Sequence, residues 1–250
     1  MAISITVYVV LVIFLATLIR SSLGFGEALV AVPLLALRIP VIVAAPLAVA
    51  VSVIVAGMIV AQDWRNIEIK SAMGLLISAL FGIPIGLFLL THANEHAIKL
   101  LLGMLIVAFS IYSMLFRSKV HLVKDHLAWL LGAGFCSGIL GGAYGMNGPA
   151  LAVYGSLRRW PPQRFRATLQ CYFFPASLVV LLGYATKGLY IPVITRYFIF
   201  SLPGIVIAVL IGRTVNRKIR GDSFFQYVYI GLTTIGFVLI YQAFFRSRIG

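Results

Sequence analysis

An arginine and a glutamate stand seven residues apart in a stretch otherwise free of charge: Arg20 and Glu27, separated by Ser21-Ser22-Leu23-Gly24-Phe25-Gly26. A charge inside an apolar segment is expensive and marks function by default. The planar donor fork of arginine suits an oxyanion, the alternative for Arg20 being an ion pair with Glu27. Glu27, at the first turn of a predicted helix, complements the helix dipole, pairs with Arg20, or couples transport by taking up and releasing a proton. A second glycine-rich stretch, Gly141-Gly142-Ala143-Tyr144-Gly145-Met146-Asn147-Gly148-Pro149, lies in the other half of the chain. Asn147 fits the N-cap of the helix that follows, and Pro149 fits its first turn; the same amide could donate to a ligand. The hydroxyls of Ser21 and Ser22 donate to an oxyanion or bond back to their own helix. Tyr144, Gln170 and Tyr172 line a pore or tie helices together. The candidate binding set is therefore Arg20, Ser21, Ser22, Gly24, Gly26, Tyr144, Gly145, Asn147, Gly148, Gln170 and Tyr172, with Glu27 as the proton-coupling candidate.

The elements that carry these residues are membrane spans. Of 250 residues, 62% are hydrophobic and 10% charged, where a soluble domain carries roughly 25% charged residues. Apolar runs of about 17–25 residues, the length that crosses a bilayer as a helix, recur along the chain. Residues 41–60 show no alternation of apolar and polar positions, which excludes a β-barrel. The net charge of +14 resides in loops between spans, where it sets topology, so nucleic acid is not a partner. His92, His96, His121 and His126 fall in loops without metal-ligand clustering. Cys136 and Cys171 lie in apolar runs as plain thiols. No paired carboxylates or activated nucleophile appear in the spans, so the sequence points to no enzyme, no metal and no cofactor. Residues 1–20 lack a signal-peptide pattern and read as the first membrane element.

The two glycine-rich stretches form an internal repeat. A shift of 121 residues places Gly24 on Gly145, Ala31 on Ala152, Val32 on Val153, Arg38 on Arg159 and Pro40 on Pro161. The predicted fold is all-α: a polytopic membrane protein of two inverted-topology repeats, each a broken-helix hairpin followed by three transmembrane helices. Residues 1–120 hold the first hairpin (3–37) and spans near 40–62, 71–91 and 97–116. Residues 121–250 hold the second hairpin (127–157) and spans near 167–186, 190–212 and 223–245. With hairpins, the loops at 63–70, 117–124, 158–166 and 213–220 share one side and carry thirteen basic residues against six on the other. With plain spans the division is nine to ten. The positive-inside bias selects the hairpins and puts both termini outside the cytoplasm.

Inverted repeats with broken helices are the signature of secondary transporters, whose halves rock about a midplane site. Both return legs would aim their electropositive N-termini at one place, a natural anion site. Residues Gly24-Phe25-Gly26-Glu27-Ala28-Leu29-Val30-Ala31-Val32-Pro33-Leu34-Leu35 resemble the glycine-rich start and Pro-Leu-Leu ending of the TauE/SafE family of sulfite and organosulfonate exporters. The stretch from Ser137 to Leu151 resembles the second copy, and Arg166-Ala167-Thr168 the short motif after it. The resemblance implies export of a small sulfur oxyanion, such as sulfite or a short sulfonate like sulfoacetate, driven by the proton-motive force across a bacterial inner membrane. Where the family shows consecutive glycines, this chain has Gly-Phe-Gly-Glu and Gly-Met-Asn-Gly-Pro, which points to a site lined for its own substrate. Import of thiosulfate and an anion channel are the competing functions. An oligomer is compatible with either.

Overall fold

The computed structural model describes residues 2–116, 127–158 and 162–218, with 233–234, 236–238 and 240–241. The described residues form helices and no strands: α1 (Ala2–Leu23), α2 (Glu27–Ala36), α3 (Val41–Asp63), α4 (Ile69–His92), α5 (Glu95–Phe116), α6 (Leu127–Tyr144), α7 (Gly148–Leu157), α8 (Pro162–Thr186) and α9 (Pro192–Lys218). Seven of these are long and apolar enough to cross a membrane. The chain is an all-α, multi-pass integral membrane protein. The expected span at 223–245 lies largely outside the described residues, as do the loops at 117–126 and 159–161.

Two short helices interrupt the series. α2 and α7 have ten residues each, about 15 Å at 1.5 Å per residue, half of what a crossing needs. The break before α2 is made by Gly24 and Gly26, at φ 88° and 97°. These are left-handed conformations that cost a side chain roughly 1–2 kcal/mol. The break before α7 is made by Gly145 at φ 67°. There the Gly145 N–H reaches the Gly141 carbonyl at 2.8 Å, the five-to-one bond of an αL helix cap, and the Met146 N–H reaches the Leu140 carbonyl, six residues back, at 3.1 Å. The chain doubles back at the first break. Tyr8 of α1 donates to the Leu34 carbonyl of α2 at 2.6 Å, and Arg38 lies over the Tyr8 ring.

Helix α3, uncharged up to Asp63 at its end, runs through the middle of the protein against α8. α1 lies along α9, and α6 lies along α4. The α4–α6 seam is made of glycine. A Cβ at Gly82 would run into the Phe135 carbonyl, at Gly138 into that of Ala79, and at Gly142 into that of Ile83. Close backbone approach of this kind replaces the hydrophobic effect as the source of helix association in lipid. The outer faces of α4 and α9 expose Phe81, Phe88, Ile199 and Leu210, as lipid contact requires. α2 buries Glu27, Leu29 to Pro33, Leu35 and Ala36. It is therefore enclosed by protein, the condition under which non-spanning backbone is tolerated at membrane depth.

Candidate functional site

The two hairpin tips dock on the two central helices. A Cβ on Gly24 would lie 3.1 Å from Cβ of Arg166 on α8, and a Cβ on Gly145 would lie 3.0 Å from the Ala45 carbonyl on α3. The members of both pairs are related by the same shift: Gly145 is 121 residues after Gly24, and Arg166 is 121 residues after Ala45. Between the tips is a small cavity of about 20 Å³ lined by Arg20, Phe25, Gly26, Glu27, Ala28, Leu29, Ser52, Gly145, Asn147, Gly148, Pro149 and Phe173. The first turns of α2 and α7 both border it.

Arg20 is 3% exposed and Glu27 2% exposed. They form a direct ion pair through Nη1 and Oε2. The other Glu27 oxygen accepts from Thr17 Oγ1 at 3.1 Å. Nη1 of Arg20 also donates to Ser52 Oγ at 2.8 Å, and Ser52 lies 3.1 Å from Ser177 Oγ. Nε and Nη2 both donate to Gln170 Oε1, at 3.2 and 2.6 Å. The guanidinium lies 5.1 Å from the centroid of the Phe173 ring, within cation–π range. Four of its five N–H groups are thus engaged. Gln170 completes a clasp by donating Nε2 to the Gly24 carbonyl at 2.7 Å. The depth of this cluster follows from Ser52, which stands midway along α3 (Val41–Asp63). A 23-residue helix is about 34 Å long, so the Arg20–Glu27 pair sits near the centre of the hydrocarbon layer.

Of the residues singled out from sequence, Arg20, Gly26, Glu27, Gly145, Asn147 and Gly148 border the cavity. Gly24 and Gln170 adjoin it through Arg20. Ser21 turns towards α9, where it blocks any Cβ at Gly212, and its buried hydroxyl has no hydrogen-bond partner. Ser22 bonds back to the Leu18 carbonyl at 2.7 Å. Tyr144 reaches the Ile98 carbonyl on α5 at 3.3 Å, and Tyr172 lies 2.9 Å from Ser137 Oγ. The Asn147 side-chain oxygen, expected as the cap of α7, has no hydrogen-bond partner and lies against Gly141. It makes no cap bond to α7, which leaves that amide for something else. Among the described residues no cluster of His, Cys, Asp or Glu could hold a metal.

Thr17, Phe25, Ser52, Phe173 and Ser177 join the site without having been picked out by type. Ser52 had a usable signal: it is the lone polar residue between Val41 and Ala61. Beyond the tip, Arg166 Nε lies 3.5 Å from Asp63 Oδ2 and Arg158 Nη2 lies 3.6 Å from Glu68 Oε1. The Glu68 N–H donates to Thr168 Oγ1 at 3.0 Å. These contacts tie the end of α3 and the start of α4 to the start of α8 and the end of α7. Phe25 meets Phe165 edge to face, with centroids 5.9 Å apart.

Comparison with known proteins agrees with this architecture. No curated protein and no solved structure matches the chain. Residues 9–239 match the family described as sulfite exporter TauE/SafE. With nearly the whole length matched, and with both glycine breaks and the buried Arg20–Glu27 pair inside the matched region, the chain belongs to the TauE/SafE sulfite exporter family.

Proposed function

We propose that the protein is a secondary transporter that exports a small sulfur oxyanion, sulfite or a short organosulfonate such as sulfoacetate, across the bacterial inner membrane by alternating access, with protons as the coupling ion. The observation that carries this is the meeting of Arg20 with the first turns of α2 and α7 at one small cavity. A guanidinium, unpaired N–H groups at two helix N-termini and an adaptable amide at Asn147 form an anion seat. The pairing of α1 with α9 and of α6 with α4, together with the shared shift of 121 residues, supports two inverted repeats, 1–120 and 121–250. The basic loops then face the cytoplasm and both termini face outward.

The cavity volume supports alternating access. About 20 Å³ holds roughly one water, less than a sulfonate group needs. The hairpins must draw apart on one side at a time to admit the anion. Purified protein in liposomes tests this with labelled sulfite, sulfoacetate, thiosulfate, taurine and sulfate, with and without a pH gradient. Saturable flux of sulfite or a sulfonate is expected. If no anion in the panel moves and a cation does, the anion seat is wrong.

A further inference from the structure

The seat for the anion is already filled by one. Glu27 occupies Arg20 Nη1 inside the cavity, and among the described residues it is the sole acidic one bordering it. Arg20, from α1, is the one charged group facing Glu27 among the described residues. α1 also offers Thr17, and α3 offers Ser52. α8 offers Gln170 and Phe173, its Arg166 at the hairpin tip being paired with Asp63, and the turn before α7 offers Asn147 with backbone. α5 packs on α2, with its charged residues Glu95 and Lys99 paired to each other at its outer end. A substrate anion that takes Arg20 therefore leaves Glu27 with no cation to balance it, at a depth where an unpaired carboxylate is strongly disfavoured.

We propose that Glu27 is the resident counter-ion of Arg20 and that the transported anion displaces it only as Glu27 binds a proton, so that anion and proton cross together. This rests on the transport function proposed above. In the exchange, a monovalent anion (of the sulfur oxyanions named, hydrogensulfite rather than a dianion such as sulfoacetate) and one proton enter from the open side, the Arg20–Glu27 pair separates, and Arg20–anion plus neutral Glu27 carboxylic acid remain. The seat is neutral before and after. Both the loaded and the empty protein can therefore reorient without carrying charge through lipid. Thr17 holds the second carboxyl oxygen and keeps the acid in place during the exchange. An inward proton gradient then opposes export, and export runs down the outward gradient of the anion itself. That is the opposite sense to a drive by the proton-motive force.

The test uses wild type and Glu27→Gln in liposomes with the monovalent anion that the flux panel identifies, an internal pH dye and a voltage clamp by potassium and valinomycin. Wild type should take up one proton per anion, with flux insensitive to voltage and apparent affinity falling about tenfold per pH unit once the proton becomes limiting. Glu27→Gln leaves Arg20 charged and alone in the empty state. Its net flux should drop at least tenfold, and any remaining anion exchange should be independent of pH. Wild-type flux that is voltage-driven and moves no protons overturns the coupling while leaving transport intact. So does Glu27→Gln with net flux and pH dependence like those of wild type. If Glu27→Gln cannot be recovered folded, the wild-type proton count decides alone. Absence of flux for every anion instead removes the transport function itself.

Discussion

The side-chain oxygen of Gln170 accepts two N–H groups of Arg20, at 2.6 and 3.2 Å, across 150 residues of chain. Its amide nitrogen simultaneously holds the Gly24 carbonyl at the hairpin tip. One side chain of α8 thus fixes both the orientation of the buried cation and the turn that ends α1.

Gln170→Leu should therefore impair transport by freeing Arg20 rather than by removing a ligand. Losing hydrogen bonds to a charged group and orphaning a buried carbonyl should lower stability by about 1–3 kcal/mol and cut flux about tenfold or more. Gln170→Glu keeps the acceptor but adds a competing negative charge, and should reduce flux further. Liposome flux and thermal unfolding in detergent measure the two effects separately. Undiminished flux in Gln170→Leu would mean that Arg20 needs no clasp.

Arg20→Ala should abolish flux while the protein still inserts. It strands Glu27 as an uncompensated buried charge, a loss of about 3–5 kcal/mol. Arg20→Ala with Glu27→Ala removes both charges, and should recover much of that stability without recovering flux. Equal instability of the single and double variants would show that the pair does not hold the centre together.

Gly145→Ala should destabilise through two causes, left-handed strain and the close approach of Val49 and Ala45, together about 2–4 kcal/mol. Gly188 supplies the control, at φ 69° with nothing near its would-be Cβ. Gly188→Ala should therefore cost only the strain, about 1–2 kcal/mol. Similar losses at both sites would show that the second tip is not tightly docked.

A reporter fused after Gly250 should read outside the cytoplasm, and Arg65→Cys, in a background without Cys136 and Cys171, should be labelled by an impermeant reagent from the inside only. Reversal of both readings would turn the transporter over, and placement of both residues on the same side would remove the hairpin topology.

The spans were legible because lipid leaves little choice: residues 41–62 carry no charge and can only be a buried helix. The glycine breaks were legible because positive φ selects glycine at 24, 26 and 145. Arg20 and Glu27 stood out as charges where none belong. The directions of Ser21, Tyr144 and Tyr172 were not legible, since a helix offers several faces and only the neighbouring helix decides which one meets the cavity. Asn147 misled for a related reason. Its position suits a cap, but its side-chain oxygen lies back against Gly141 of α6 rather than over the first turn of α7. Phe173 carries no polar signal at all, and its place beneath the guanidinium depends on α8 lying against α3.

Because α1 lies along α9 and α6 along α4, each hairpin's long leg is fastened to a helix from the opposite half of the chain. The α4–α6 seam, with glycine against carbonyl at three successive levels, leaves no slack for sliding. In the proposed transport cycle the bodies that swing would therefore be hybrids assembled from both halves of the chain, and a hinge sought at the junction between residues 120 and 121 would be sought in the wrong place. The α3–α8 contact, held by the paired hydroxyls of Ser52 and Ser177 and by Arg166 with Asp63 rather than by interlocked backbone, is where that proposal puts the movement.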